Sequence, residues 1–406
     1  MEPYYNTEEN LVPEFKLPDL LTCLDGSKAD SPNSWAEKRR KEILKLFEEH
    51  VYGKTPNDSI SPLVRLIKKE TNALKGKATR KEIRVYFTGK VEEPFMDILI
   101  YLPNEGQRPH PVFLGLNFFG NHSIHEDPDI TLSQKWMRDS TTLGTEGHCA
   151  TESSRGSRAD RWPIEKIIER GYGLATIYCG DLDPDFHDEY QNGVHPLFYA
   201  PGQSRPTEHE WGTIGAWSWG LSRALDVFEK DDDIDSTRVS VMGHSRLGKT
   251  ALWAAAQDER FAMAISNNSG CTGAALSRRR FGETISRINK NFPHWFCDRY
   301  LNYNDKEDEL PVDQHMLLSL VAPRPVYVAS ATEDLHADPR GEFLSCLNAS
   351  PVYELLDKTG LGQQQDPEVE VPIHLGHIGY HLRKGKHSVE DFDWEQFLTF
   401  ADLHLS

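Results

Sequence analysis

No Cys-x-x-Cys pair occurs anywhere in this chain. Six cysteines, Cys23, Cys149, Cys179, Cys271, Cys297 and Cys346, are widely scattered, which argues against a zinc ribbon or a thiol redox pair. Their even number permits disulfides without implying them in a chain of this length. Positive charge is also scarce. Forty-five Lys and Arg face 63 Asp and Glu, leaving a net charge of −18. General attraction to nucleic acid or to an anionic membrane is thereby disfavoured. Mean hydropathy is −0.58, and no apolar run approaches the length needed to cross a bilayer. Repeats and low-complexity linkers are missing as well, so nothing marks a cut between domains. Residues 1–10 carry neither the basic nor the apolar segment of a secretory leader. The expectation is a cytoplasmic protein or a mature form given without its leader.

What is present is ample for a large core: 38% of the 406 residues are hydrophobic and 10% aromatic. Residues 1–30 read as an irregular N-terminal extension, and 31–406 as a single domain. The pattern predicts a helix over 34–51 and strands over 83–87, 95–102 and 111–117. A long polar loop over 119–160 follows, then a helix over 163–170 and a strand over 173–178. Another long loop spans about 180–210. Long irregular segments of this kind are usually functional loops or insertions. A helix over 214–228 leads into a strand over 238–242. Later elements are strands over 262–266, 325–329 and 370–373 and helices over 352–358 and 393–405. Strands alternating with helices predict an α/β fold with a mostly parallel sheet covered on both faces. Its site should lie at the C-terminal ends of the strands.

The densest chemical signal is Val239-Ser-Val-Met-Gly-His-Ser-Arg-Leu-Gly-Lys249, followed by an alanine-rich run. A β-branched strand ends in glycine, and a serine follows two residues later at the start of a helix. Such an elbow exposes the Ser245 hydroxyl and aims free backbone N–H groups at whatever it attacks. The alternative is a serine that only caps the helix. A nucleophilic serine needs a base and an acid, in the chain order serine, acid, histidine. The run Val326-Tyr-Val-Ala-Ser-Ala-Thr-Glu-Asp334 ends in two carboxylates. Asp334 is the expected acid and Glu333 the runner-up. Of 17 histidines, His374, His377, His381 and His387 crowd the last loops. His387, just before the final helix, is the expected base, with His381 second. The spacing of His374, His377 and His381 also admits a metal site, weakened by the glycines between them and the lack of a nearby Cys or carboxylate. Trp162, Trp211, Trp217 and Trp219 serve either as sugar platforms or as core.

These residues carry a family resemblance. Gly243-His-Ser-Arg-Leu-Gly-Lys249 resembles the signature of glucuronoyl esterases, family 15 of the carbohydrate esterases. Asn267–Leu276, Arg280–Glu283, Ala331–Leu344 and Gly379–His387 are similar to bacterial members in the same order. Asn117–Asn121 and Arg161-Trp-Pro163 match more loosely. The resemblance implies an α/β-hydrolase fold, a three-layer sandwich. It implies hydrolysis of 4-O-methyl-glucuronic acid esters, as in lignin–xylan linkages, through a Ser-His-Asp triad and an acyl-enzyme. Ser245 is then the nucleophile, His387 the base, Asp334 the acid and Arg246 an oxyanion-hole side chain. Lys249, Glu283, His336 and Trp162 would meet the sugar. Two positions depart from the family. Asn268 stands where many bacterial relatives carry a glutamate that can act as acid, and His336 stands where a tryptophan is frequent. The implied substrate is glucuronoxylan or a lignin–carbohydrate ester, the implied state a monomer, the implied compartment secreted or periplasmic. No cofactor and no metal is called for. Alternatives are an acetyl xylan esterase with the same triad, or a catalytically silent carbohydrate-binding relative.

Overall fold

The computed structural model describes residues 5–56 and 60–405. By backbone contacts the chain forms two compact units: Met1–Thr55, Thr207–Gly215 and Val241–Ser406 in one, Pro56–Pro206 and Ala216–Ser240 in the other.

Helix α1 (Pro32–Ser34) opens on Ser31, whose hydroxyl accepts from Ser34 N. Pro32 sits where a missing N–H costs nothing. The helical path continues through π-type turns and α2 (Arg40–Phe47) to Tyr52. Strands β1 (Leu63–Ala73), β2 (Ala78–Tyr86), β3 (Phe95–Pro103) and β4 (His110–Asn117) follow. The predicted loop over 119–160 holds only 3-10 turns and a small hairpin, β5 (Thr145–Glu146) and β6 (Cys149–Ala150). Next come α3 (Ile164–Glu169), β7 (Gly173–Tyr178), α4 (Thr213–Phe228), β8 (Ile234–His244) and α5 (Arg246–Gln257). The remainder is β9 (Met263–Asn267), α6 (Ile285–Asn291), α7 (Gln314–Ser319), β10 (Val326–Ala331), α8 (Pro339–Leu355), β11 (Ile378–Arg383) and α9 (Asp391–Leu405).

In the second unit the strand order is β1-β2-β3-β7-β4-β8. β1, β2, β3 and β7 pair antiparallel, and β7 turns parallel to β4. β1 was not among the predicted strands. Nine of its eleven residues are exposed, and Lys68, Lys69 and Glu70 leave it without apolar alternation. Charges of this kind suit an edge strand, where they discourage pairing with other chains.

In the first unit, the end of β8 is followed in the sheet by β9, β10 and β11. β9, β10 and β11 are parallel, with Val326 opposite both Ala264 and Ile378. Every residue of β9 and β10 is buried, which is why both read as continuous apolar runs. Two predicted elements differ. The helix expected at 352–358 is the end of α8, which starts at Pro339 because the Asp338 side chain caps it through Gly341 N. The strand expected at 370–373 is only a pair of bridges, Val369–Leu382 and Ile373–Tyr380, lying on β11. β11 itself hides in sequence behind Gly379, where a Cβ would stand 2.2 Å from the Tyr327 ring. No disulfide joins the six cysteines among the described residues. No helix among the described residues is long and apolar enough to cross a membrane.

Candidate active site

The loops after β8, β9, β10 and β11 carry Ser245, Asn268, Asp334 and His387. Ser245 holds φ 58° and ψ −130°, a left-handed backbone that a non-glycine residue adopts only under constraint. Two contacts impose it. Ser245 N donates to Asn267 O at 2.9 Å, and Gly248 N donates back to Ser245 O at 2.8 Å. Gly243 permits the crossing of strand and helix: a Cβ there would lie 1.9 Å from Leu247 O. The Ser245 hydroxyl makes no cap to α5, so the capping alternative fails.

Asp334 and His387 meet. His387 Nδ1 lies 2.5 Å from Asp334 Oδ2, and Asn268 Nδ2 donates to the same oxygen at 2.9 Å. Burial pushes the Asp334 carboxyl up. The His387 bond and charge, the Asn268 bond and the nearby His336 more than offset this, and hold it below the usual carboxylate range. Glu333, the runner-up acid, is exposed. His381, the runner-up base, is fully buried between Tyr327 OH at 3.0 Å and Asp393 Oδ1 at 2.8 Å. His374 shares the Tyr327 hydroxyl, while His377 packs on the His404 ring. No group of three or more metal-ligating side chains occurs among the described residues.

Around this pair lies a cavity of about 330 Å³. Ser245, Arg246, Lys249, Asn268, Glu283, Asp334, His336 and His387 all line it. Trp162 closes a 3-10 turn, Ala159–Arg161, in the second unit. Trp211, Trp217 and Trp219 are buried and serve as core.

Lys249 is 3% exposed and donates to the carbonyls of Ser269 and Cys271, the latter at 2.6 Å. Glu283 Oε2 stands 3.9 Å from its ammonium. Burial lowers the Lys249 pKa, with Glu283 acting against it. The other Glu283 oxygen lies 3.3 Å from His336 Nε2, so Glu283 joins a buried cation to a half-exposed imidazole. The Arg246 guanidinium lies 5.6 Å from the Trp295 ring centre, and Trp295 stacks on Phe292 at 3.7 Å. Phe292 and Trp295 also line the cavity and were missed from sequence. Their only signal is the aromatic cluster Phe292-Pro-His-Trp-Phe296.

Behind the cavity, Glu342 is fully buried. It accepts from Gly270 N at 2.9 Å, from Ser330 Oγ at 2.5 Å and from Ser269 Oγ at 3.3 Å. Burial raises its pKa to about 8. It braces the loop whose carbonyls hold Lys249.

The family model described as "Glucuronyl esterase, fungi" matches residues 198–357. A carbohydrate esterase of an unknown prokaryotic organism is 52% identical over 402 residues, covering 99% of this chain and 92% of that one. A solved structure described as a promiscuous esterase of carbohydrate esterase family 15, from a marine bacterial metagenome, superposes with TM-score 0.93. It is 52% identical and covers 99% of this chain and 100% of that one. A glucuronoyl esterase from Solibacter usitatus superposes with TM-score 0.93 at 47% identity, over 98% of this chain and 100% of that one.

Proposed function

Since the chain belongs to the glucuronoyl esterases of carbohydrate esterase family 15, with their α/β-hydrolase fold, we propose that it hydrolyses esters of 4-O-methyl-glucuronic acid by serine catalysis. The observation that carries this reading is the cavity itself. It joins an elbow serine, a histidine–carboxylate pair at 2.5 Å and two cations on the first turns of the elbow helix.

In this reading Ser245 Oγ attacks the ester carbonyl and His387 Nε2 takes its proton. Asp334 holds the other ring nitrogen, fixing the tautomer and stabilising the imidazolium. The carbonyl oxygen becomes an oxyanion beside the N–H groups of α5 and the Arg246 guanidinium. The imidazolium then protonates the leaving alcohol. Water, activated by His387, attacks the acyl-enzyme and releases the uronate. Lys249 and Glu283 hold sugar hydroxyls, Lys249 donating and Glu283 accepting. His336 adds a ring and a polar nitrogen at the rim. All these groups come from one chain, so a monomer suffices. On a polymeric substrate the enzyme would act in the secreted or periplasmic space.

A broader ester range is the second reading, favoured by the relative described as promiscuous. The deciding measurement compares kcat/KM on benzyl glucuronate, methyl glucuronate and acetylated xylose, with Ser245→Ala as the blank. The proposal expects the uronate esters to lead. Equal or greater activity on acetylated xylose would overturn it.

A further inference from the structure

We infer that Arg383 is a positioning residue for His387, with Asp393 as its buried counter-ion. The inference rests on the reading of His387 as the catalytic base.

Arg383 ends β11 and is 1% exposed. A guanidinium has five N–H donors in a rigid fork, and a buried one must find partners for all of them. Here four of the five donate to a protein oxygen, and the remaining one is accompanied by the Glu390 carboxylate. Nε donates to Asp393 Oδ2 at 2.9 Å. Nη1 donates to Lys384 O at 2.8 Å and lies 3.2 Å from Glu390 Oε1. Nη2 donates to Lys386 O and to Ser388 O, each at 2.8 Å. The last two carbonyls flank His387 on either side. A single rigid group therefore grips the backbone immediately before and after the imidazole.

The backbone of the same loop is tied to the acid. Thr332 N donates to Arg383 O and Glu333 N donates to Gly385 O, both at 2.9 Å. Carbonyls 383 and 385 thus face the segment that carries Asp334, while carbonyls 384, 386 and 388 face the guanidinium. The alternation leaves the loop little freedom to move His387 away from Asp334. Asp393 is fixed in turn. It accepts from Glu390 N at 2.7 Å and contacts His381 Nε2 at 2.8 Å. It sits in the first turn of α9, where the helix dipole favours a carboxylate. The pair is fully desolvated, so removing either partner strands a buried charge.

Lysine cannot replace this arginine. Its three donors radiate from one atom and cannot span carbonyls 384, 386 and 388 together. Gly385 is a second point of sensitivity: a Cβ there would lie 3.0 Å from Arg383 Nη1, at φ +106°.

The test is the variant Arg383→Lys. A folded protein should show kcat on benzyl glucuronate reduced by about 10- to 100-fold with KM changed less than about threefold, the scale for a small misplacement of a reacting group. Its His387 Nδ1–H proton resonance should broaden through faster exchange with water. A parent-like kcat and a parent-like resonance in folded Arg383→Lys overturn the inference. If that variant does not fold, Gly385→Ala is read in its place. It should lose kcat at constant KM, and an unchanged kcat overturns the inference equally. His387→Gln separates this inference from the reading beneath it. An active His387→Gln removes the base assignment. An inactive His387→Gln beside a fully active Arg383→Lys removes only the positioning role.

Discussion

Asp334 Oδ2 receives two donors, His387 Nδ1 and Asn268 Nδ2, and Asn268 supplies no charge of its own. The negative charge that stabilises an imidazolium must then come from Asp334. Asp334→Asn should keep the shape of the site and lower kcat by about 10⁴-fold, the scale for this change in a serine protease triad. Glu333→Gln, on an exposed side chain, should change kcat by less than about threefold. Adding Asn268→Glu to Asp334→Asn should recover part of the lost rate, because position 268 already touches the position 334 side chain. Steady-state rates on benzyl glucuronate check all three, and a near-parent rate for Asp334→Asn alone would move the acid elsewhere. Arg246→Ala should lower kcat on uronate esters by about 10²- to 10³-fold if it completes the oxyanion hole. Lys249→Ala should act mainly on KM, since a sugar contact exists in ground and transition states alike.

At the scale of elements, the elbow is the part most tightly specified by its own sequence. Gly243 and α5 approach so closely that any Cβ at 243 collides with backbone, not with a movable side chain. Gly243→Ala should therefore push α5 from the end of β8, misplace Ser245 and abolish turnover. It should also lower the melting temperature, because residues 247–256 of α5 are all buried. Thermal melts and active-site titration with a fluorophosphonate measure both effects. A soluble, fully active Gly243→Ala would contradict the close crossing. Gly147 offers a control of opposite kind, since nothing lies within 4 Å of a Cβ there. Its positive φ leaves only a local backbone strain.

For the whole molecule, the buried carboxyl of Glu342 sets a pH dependence of stability. Its folded pKa, about 8, lies above the ordinary glutamate value of 4.5. The folded state holds this proton more tightly than the unfolded chain. Its contribution is fully present below about pH 4.5 and is lost as pH rises through about 8. Between those limits the slope from this group alone is about −1.4 kcal/mol per pH unit. Glu342→Gln keeps a neutral side chain of similar shape and should flatten that slope in urea denaturation series from pH 5 to 8. An unchanged slope would show Glu342 ionised in the fold. Asp334 works in the opposite sense: its depressed pKa gives stability present above the ordinary carboxylate range and lost as pH falls through the folded value.

The elbow and the buried parallel strands were legible because each is a local pattern. A glycine crossing, a buried apolar strand and a capped turn depend on residues within a few positions of one another. Chain position already put Asp334 ahead of Glu333 and His387 ahead of His381, but the exposure of Glu333 and the burial of His381 against Asp393 are set by distant packing and needed the fold. Least legible were the contacts made to backbone carbonyls. Ser269 O and Cys271 O hold Lys249, and Lys386 O and Ser388 O receive Arg383. Every residue has a carbonyl, so no residue type marks them. The sequence determined which chemical groups the site contains, and the tertiary structure alone decided which of them are desolvated, paired and held still enough to react.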